Sequence, residues 1–153
     1  MAQPRFEFRL QTLLDHRARI EKDHQRKVAE IQQQISQLMN QIQTAQQQIR
    51  EQDAALAGEK LTGRLDLQYI AYEKRFVGNL HVRIVLTMQR LAAVEKTLAA
   101  AKAELLEAAK AKKVLVKLRE KHHARWLADL ERKETALLDE VGTQLAIRGD
   151  STV

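Results

Sequence analysis

Residues 28–56 read VAEIQQQISQLMNQIQTAQQQIREQDAAL, and this stretch decides the fold class. Glutamine dominates it, yet the chain returns to one series of positions in alternating steps of three and four. The series is Val28, Ile31, Ile35, Leu38, Ile42, Ala45, Ile49, Gln52 and Leu56. Such steps place side chains on one seam of a supercoiled helix. The stretch therefore predicts a coiled coil rather than a disordered polar segment.

The same seam continues towards the N-terminus. It passes through His24 and then through Ile20, Arg17, Leu13, Leu10 and Phe6. One passage, from Ile20 to Ile31, takes steps of 4, 4 and 3, which is an eleven-residue stutter that locally relaxes the supercoil. The pattern predicts a first helix over residues 6–57.

A second seam fills the other half of the chain. It begins with Tyr69, Tyr72, Phe76, Leu80 and Arg83, continues in steps of three and four from Ile84 to Ala108, and runs mostly in steps of four from Leu115 to Val141. This pattern predicts a second helix over residues 66–147, with a frayed tail at 148–153.

Two glycines, Gly58 and Gly63, lie between the seams. Glycine can adopt the left-handed conformation that ends a helix, and an aspartate after it can cap the next one. We therefore predict a turn at residues 58–65, with Asp66 as the N-cap of the second helix. Gly78 is a rival turn position that would make the halves more equal, but residues 69–76 already have a helical pattern.

A turn this short makes the two helices antiparallel neighbours. The predicted fold class is all-α: a long two-helix antiparallel coiled-coil hairpin, one domain over residues 1–153, with a longer, projecting C-terminal helix. Position i would face position ~122 − i, which puts Phe6 near residue ~116. Residues beyond Lys121 would then lack a partner helix, although several are apolar, and exposed apolar surface usually marks a binding surface.

Composition and charge exclude several classes of protein. The 153 residues include one proline, five glycines and no cysteine, so a disulfide framework and a thiolate metal site are excluded. No apolar run is long enough to span a membrane, and the first twenty residues are too charged for a secretory signal. The net charge is +6, and residues 74–125 hold thirteen basic and four acidic residues. Such a field favours an acidic surface, nucleic acid or anionic lipid, although any long solvated helix can carry lysines.

The sequence has no recognisable catalytic motif. It contains no Gly-rich phosphate loop, no GxSxG and no HExxH. His122 and His123 are adjacent, so on a helix they point about 100° apart and cannot hold one ion together. His24 lies on the seam, where a polar residue more often sets the register than binds a metal. We expect no enzymatic activity, no cofactor, no metal and no direct nucleotide binding.

Three segments are more specific than the general coiled-coil pattern. The start reads FEFRLQTLLDHR over residues 6–17, the second helix opens with YIAYEKRF over 69–76, and the end reads ERKETALLDE over 131–140. In this order and spacing they resemble the FliJ family, the small coiled-coil stalk of the bacterial flagellar export apparatus, which is related to YscO-type proteins of injectisomes. The chain departs from the family pattern at Leu138, an extra leucine before the acidic pair.

The resemblance implies a role in protein export rather than a reaction. The family looks like the central stalk of rotary ATPases: its termini insert in the pore of a hexameric export ATPase, promote ring assembly and ATP hydrolysis, and its turn end points to the export gate. It implies a cytoplasmic protein, peripheral on the cytoplasmic face of the cell membrane through its partners. Export chaperones are further candidate partners.

The resemblance also implies two sets of contact residues. The ATPase-ring contacts would be Phe6, Phe8, Leu10, Arg125, Trp126, Leu130, Lys133, Leu137 and Leu138. The contacts to the cytoplasmic domain of the export gate would be Tyr69, Tyr72, Phe76, Leu80 and Arg83. The alternatives are that the first set makes an antiparallel self-dimer and that the rings of the second set pack across the seam.

Two other functions fit a basic coiled-coil hairpin. One is nucleic-acid binding, which the shortage of aromatic residues in the basic stretch disfavours. The other is a generic coiled-coil adaptor or chaperone. Affinity for nucleic acid that collapses steeply with salt would favour the first, and retention by an ATPase ring would favour the export stalk.

Overall fold

The computed structural model describes residues 4–61 and 66–150, without the side chains of residues 59–61. It consists of two α-helices, α1 (Gln11–Leu61) and α2 (Leu67–Asp150), and the described residues form no strand. The helices pack against each other, so the all-α class and the two-helix architecture are confirmed. Their packing falls into two units. The terminal unit combines the chain up to Glu21 with the chain from Glu107 onwards, and the central unit is Lys22–Leu106.

The first helix begins later than predicted. Residues 4–10, which we call the N-terminal strap, are not helical, and α1 starts at Gln11 rather than near residue 6. Phe6, Phe8 and Leu10 alternate with charged residues, and in an extended chain alternate side chains point the same way. Phe6 and Phe8 therefore reach one cluster with Leu115 of α2, whereas a helix would turn Phe8 about 200° away from Phe6. Leu10 joins the same cluster after a turn that is closed by a hydrogen bond from the Gln11 N–H to the Phe8 carbonyl at 3.0 Å.

The seam of the terminal unit differs from the prediction by one residue. Leu14 is 8% exposed, whereas Leu13 is 41% exposed and Arg17 is also exposed. Because the strap is not helical, Phe6 does not determine which side of α1 faces α2. Leu14 is the first buried residue on that side. Leu14 packs in a cluster with Phe8 and Leu115.

The turn region also differs from the prediction. Gly58 lies inside α1, which continues to Leu61, and its backbone is not left-handed, so it does not end the helix. The rest of the predicted turn, residues 62–65, lies outside the described residues. Gly78 lies inside α2, which rules out the rival turn position.

Asp66 caps the second helix, as predicted. Its Oδ1 accepts hydrogen bonds from the backbone N–H groups of Gln68, at 3.1 Å, and Tyr69, at 3.3 Å. Its carbonyl accepts the N–H of Ile70 at 3.0 Å. These bonds satisfy donors that a helix N-terminus otherwise leaves unpaired. At the other end α2 reaches Asp150, beyond the predicted 147, with Arg148 in the last turn, where a cation suits the helix dipole.

The central unit confirms the heptad seam. Val28, Ile31 and Ala101 form one buried cluster, with Ile35 and Leu98 among the side chains packed against it. Ala45, Ile49, Leu80 and Ile84 form another buried cluster. The alanines at 45 and 101 are 4% and 3% exposed, so the helices approach closely at both places. Residue numbers rise along α1 while those of the contacting residues on α2 fall, so the helices of this unit are antiparallel.

The register of the pairing is displaced from the predicted one. Ile49 clusters with Leu80 in the central unit and Leu14 with Leu115 in the terminal unit, and each pair adds to 129. The prediction was about 122, from a turn centred between the glycines. Because α1 runs through Gly58 to Leu61, each residue of α1 meets one about seven positions further along α2.

The last five turns of α2 are exposed on all sides. Every residue from 131 to 150 is exposed, and the apolar ones, Leu137, Leu138, Val141, Leu145 and Ile147, are 52–72% exposed. This is the solvent-exposed end expected for the longer helix. Neither helix, over its described residues, is apolar enough to cross a membrane.

Candidate partner-binding surfaces

An aromatic cluster joins the N-terminal strap to α2. The ring of Phe6 meets His123 edge-on at 4.9 Å between centroids and lies 5.9 Å from Trp126. His123 stacks on Trp126 at 5.9 Å, and Phe8 meets His122 edge-on at 5.7 Å. Edge-to-face and offset-stacked rings are the favoured aromatic geometries. The cluster therefore fixes the strap to α2 through side chains from both.

Three members of this cluster are outside the predicted contact sets. His122 lies on the predicted second seam, and neither His122 nor His123 is in a predicted contact set, but their divergent directions let each meet a different phenylalanine of the strap. The guanidinium carbon of Arg119 lies 5.9 Å from the centre of the Phe6 ring, at the outer limit for a cation–π contact. The signal that could have revealed the cluster is the alternation of Phe6, Phe8 and Leu10, which is a period of two within a helical pattern.

The structure separates the predicted ATPase-ring residues into two groups. Phe8 is 8% exposed and lies inside the strap contact, while Phe6, Leu10, Trp126 and Leu130 are half-buried. Arg125, Lys133, Leu137 and Leu138 are exposed. The first group is thus occupied mainly with packing inside the terminal unit, and the second is free to meet a partner.

The predicted export-gate residues also separate into two groups. Tyr69, Tyr72 and Phe76 are 37%, 66% and 37% exposed, and Arg83 is exposed. Leu80 is 3% exposed and belongs to the buried cluster with Ala45 and Ile49. The aromatic residues therefore form an exposed face beside the seam, which we call the aromatic face, and Leu80 lies in the seam itself.

The seam beneath the aromatic face contains residues outside the predicted export-gate set. Ile70 and Val77 are half-buried there, and Glu73 is 7% exposed. Glu73 Oε2 is shielded from solvent and has no hydrogen-bond partner among the described residues. A buried carboxylate oxygen without a partner costs stability. The start of the second helix thus places Ile70, Glu73 and Val77 in the seam, and its large rings lie outside it.

Basic residues cover the terminal unit unevenly. Lys112 turns towards α1, where its Nζ lies 3.0 Å from Glu21 Oε2. Lys110 pairs with Glu107 on its own helix at 3.4 Å. Lys113, Lys117, Lys121 and Arg125 are exposed and form no ion pair within the described part of the chain. They give α2 a positive outer surface that is available to an acidic partner.

A comparison with protein-family models matches residues 6–151 of the chain to the family described as "Flagellar FliJ protein". The chain belongs to this family. Comparisons with curated proteins and with solved structures gave no match. Family membership makes the chain a component of the flagellar protein export apparatus.

The two candidate partner-binding surfaces are the exposed residues of the predicted ATPase-ring set and the aromatic face. Neither surface contains three or more His, Cys, Asp or Glu side chains that could hold a metal ion, and this holds for all described residues. What both surfaces offer is exposed apolar or aromatic area beside cationic side chains. Such a composition suits contacts between proteins.

Proposed function

We propose that the chain is a non-enzymatic stalk of the flagellar export apparatus, on the cytoplasmic face of the membrane. Its terminal unit contacts a hexameric export ATPase, promoting ring assembly and ATP hydrolysis, and its aromatic face contacts the cytoplasmic domain of the export gate. The observation that carries the proposal is the exposed stretch 131–150, in which Leu137, Leu138, Val141 and Leu145 are 52–72% exposed, unlike the seam residues that pack against α1. Family membership supports the setting.

The exposed end of α2 supports the ATPase contact. Leu137 and Leu138 are adjacent and 61% and 72% exposed, and Arg125 and Lys133 lie further towards the strap on the same helix. Exposed leucines on a solvated helix lower solubility unless a partner covers them. The cations beside them suit an acidic rim on that partner and would speed its association.

The N-terminal strap supports the contact in a different way. Phe8 is buried against Leu115 and His122, so it holds the strap rather than meeting the ring. Phe6 and Leu10 retain partly exposed area, and Phe6 joins Trp126 in one continuous surface. We therefore assign direct contact to Phe6, Leu10 and the exposed part of α2, and a positioning role to Phe8.

Truncation of α2 tests the ATPase contact. A chain ending at Glu131 keeps Trp126 and Leu130 but loses the exposed stretch. We expect it to melt at nearly the same temperature as the full chain and to lose stimulation of the cognate export ATPase. The double variant Leu137→Ala, Leu138→Ala should reduce stimulation more mildly.

A matched control is available in the central unit. Val82 and Val85 are exposed to a similar extent, 59% and 54%, and their replacement by alanine also removes exposed apolar area, two carbons per residue against three for each leucine. This double variant should stimulate the ATPase fully. Full stimulation of the ATPase by the chain ending at Glu131 would refute the proposed contact. Equal losses of stimulation in the two double variants would show a general effect of surface hydrophobicity instead of a specific contact.

The aromatic face supports the gate contact. Tyr72 has two thirds of its surface exposed. Phe76 precedes Leu80 along the helix and Arg83 follows it, and both are exposed. Aromatic anchors beside an arginine are the usual composition of an interface hot spot. Tyr72→Ala and Phe76→Ala should keep helicity and ATPase stimulation while gate binding weakens by about 2 kcal/mol. If melting temperature and gate binding fall together, the rings are structural and the gate contact is wrong.

Nucleic-acid binding finds less support in the structure. The only tryptophan, Trp126, is stacked on His123 and contacts Phe6, so its ring is not free to stack on a base. The exposed lysines remain compatible with phosphates. Binding of duplex or single-stranded oligonucleotides that weakens steeply as salt rises would favour this alternative over the export stalk. A generic adaptor would bind neither the ATPase ring nor the gate.

A further inference from the structure

A continuous groove runs along one side of the central unit, between α1 and α2. Three adjoining depressions make it up: Gln48 and Arg83 line the first two, and Gln41 and Arg90 line the second and third. On α2 the lining extends from Phe76 to Val94, which corresponds to about 27 Å at the helical rise. This is the length of five helical turns.

The two edges of the groove differ in chemistry. The α1 edge is a row of uncharged amides that includes Gln34, Gln41 and Gln48. The α2 edge carries Arg83 and Arg90, with Leu86, 52% exposed, between them. No acidic residue lines any of the three depressions, and neither arginine forms an ion pair within the described part of the chain. The three depressions therefore contain two cations and no counter-charge. A further depression on α1, which adjoins them at Gln48, contains Glu51, whose carboxylate accepts a hydrogen bond from the Gln47 amide at 3.3 Å.

The floor of the groove is made of small side chains. Ala45 and Thr87 are 4% and 5% exposed. The Thr87 hydroxyl donates to the Arg83 carbonyl at 2.8 Å, so it needs no further partner. Small, satisfied side chains between two parallel ridges allow another helix to approach at the usual interaxial distance of about 8–10 Å.

We propose that this groove docks a third α-helix, supplied by a partner protein, that is amphipathic and carries two carboxylates seven residues apart. Arg83 and Arg90 are themselves seven residues apart, so the carboxylates match their spacing of about 10 Å whichever way the third helix runs. Arginine binds carboxylates with two parallel hydrogen bonds. Apolar side chains of the third helix would cover Leu86, and the glutamines can donate to or accept from its polar side.

The composition of the groove favours a protein helix over nucleic acid. A nucleic-acid groove relies on many phosphate-neutralising cations and on rings for stacking. Here uncharged amides outnumber the cations, and the one ring, Phe76, lies at the end. The groove borders the aromatic face at Phe76 and Arg83, but the inference does not rest on the proposed gate contact, because Arg90 and the glutamine row lie outside that face.

The test uses synthetic helical peptides with the full-length chain. The first peptide is a fluorescein-labelled, stapled 21-residue amphipathic helix with leucines on one side and two glutamates seven residues apart beside them. The second has the same composition with the glutamates three residues apart, and the third has lysines in place of glutamates. Fluorescence anisotropy should show saturable binding of the first, at least about fivefold weaker binding of the second, and no binding of the third.

Variants of the chain locate the site. Arg90→Gln should weaken binding of the first peptide about fivefold, and Arg83→Gln with Arg90→Gln should weaken it further. Arg75→Gln is the matched control, because Arg75 is exposed on the same helix and does not line the groove. Arg90→Glu should recover affinity for a peptide in which one glutamate is replaced by lysine. All replaced side chains are exposed, so circular dichroism should be unchanged.

Three results would overturn the inference. They are absence of binding by the first peptide at millimolar concentration, equal binding of the two glutamate isomers, and an equal loss in Arg75→Gln. Displacement of the first peptide by an RNA or DNA oligonucleotide in an Arg90-dependent manner would assign the groove to nucleic acid instead. Because Tyr72→Ala should leave peptide binding intact, failure of the gate contact and failure of the groove can be told apart.

Discussion

The middle and the end of α2 have similar sequences and opposite environments. Between Leu80 and Ala108 the seam residues are buried or half-buried, with Leu80 and Ala101 only 3% exposed. Between residues 131 and 150 leucine and valine recur at comparable spacing, yet Leu138 is 72% exposed. Both segments are helical, so the local conformation does not depend on the burial. Apolar periodicity therefore indicates which side of a helix another surface would cover. It does not indicate whether that surface belongs to the same chain.

Aspartate substitutions at the two places should give the largest contrast. Ile35 packs against the buried cluster of Val28, Ile31 and Ala101. Ile35→Asp should cost more than about 3 kcal/mol and unfold the pair of helices, because a charge enters the apolar seam without a partner. Leu138→Asp should change the free energy of unfolding by less than about 0.5 kcal/mol. Thermal melts followed by circular dichroism measure both, and equal losses would contradict the distinction drawn between the two segments.

Alanine substitutions at the start of α2 sharpen the comparison within two helical turns. Leu80→Ala removes a side chain that is 3% exposed and should cost about 2–4 kcal/mol. Tyr72→Ala removes a side chain that is 66% exposed and should cost less than about 0.5 kcal/mol. Urea unfolding of the two variants provides the measurement. A large loss for Tyr72→Ala would show that the aromatic face is part of the core.

The seam of the central unit could be predicted from the sequence because a single rule determines it. Steps of three and four keep Val28, Ile31, Ala45 and Ile49 on one line, and all four are buried. The Asp66 cap was predictable for a similar reason, since a short acceptor side chain at that position has one main use. Both features depend on local chemistry alone.

Other features depend on a competition that the pattern alone does not decide. Phe6, Leu10 and Leu13 fit a helical seam, but the alternation of Phe6, Phe8 and Leu10 also fits a non-helical segment, and the contacts with His122 and His123 favour the second. At the start of α2 the larger rings were predicted to occupy the seam. Ile70, Glu73 and Val77 occupy it instead, because the helix phase is fixed further along by Leu80 and Ile84.

Substitutions in the N-terminal strap should have an intermediate effect. Phe8 is 8% exposed, so Phe8→Ala should release the strap and lower stability by about 2 kcal/mol, less than in a closed core because only one segment detaches. Phe6→Ala should cost less, since that ring is half-buried, but it removes a neighbour 5.9 Å from Trp126. Trp126 fluorescence, together with protease cleavage near residue 9, reports the release. Unchanged cleavage in Phe8→Ala would show that the ring does not hold the strap.

Removal of single ion pairs should have the smallest effects, and the two pairs made by Lys110 and Lys112 allow a matched test. Lys112 Nζ lies 3.0 Å from Glu21 Oε2, an oxygen shielded from solvent. Lys110 pairs with Glu107 at 3.4 Å, with both side chains more than 60% exposed. Lys112→Met should cost about 1 kcal/mol, because the Glu21 carboxylate cannot recover full hydration, whereas Lys110→Met should cost no more than about 0.3 kcal/mol. Salt screens exposed charges more than shielded ones, so 0.5 M NaCl should abolish the smaller effect and leave most of the larger one. If both variants lose the same stability, and salt removes both losses, the Lys112–Glu21 pair is an ordinary surface contact and adds nothing to the packing of the terminal unit.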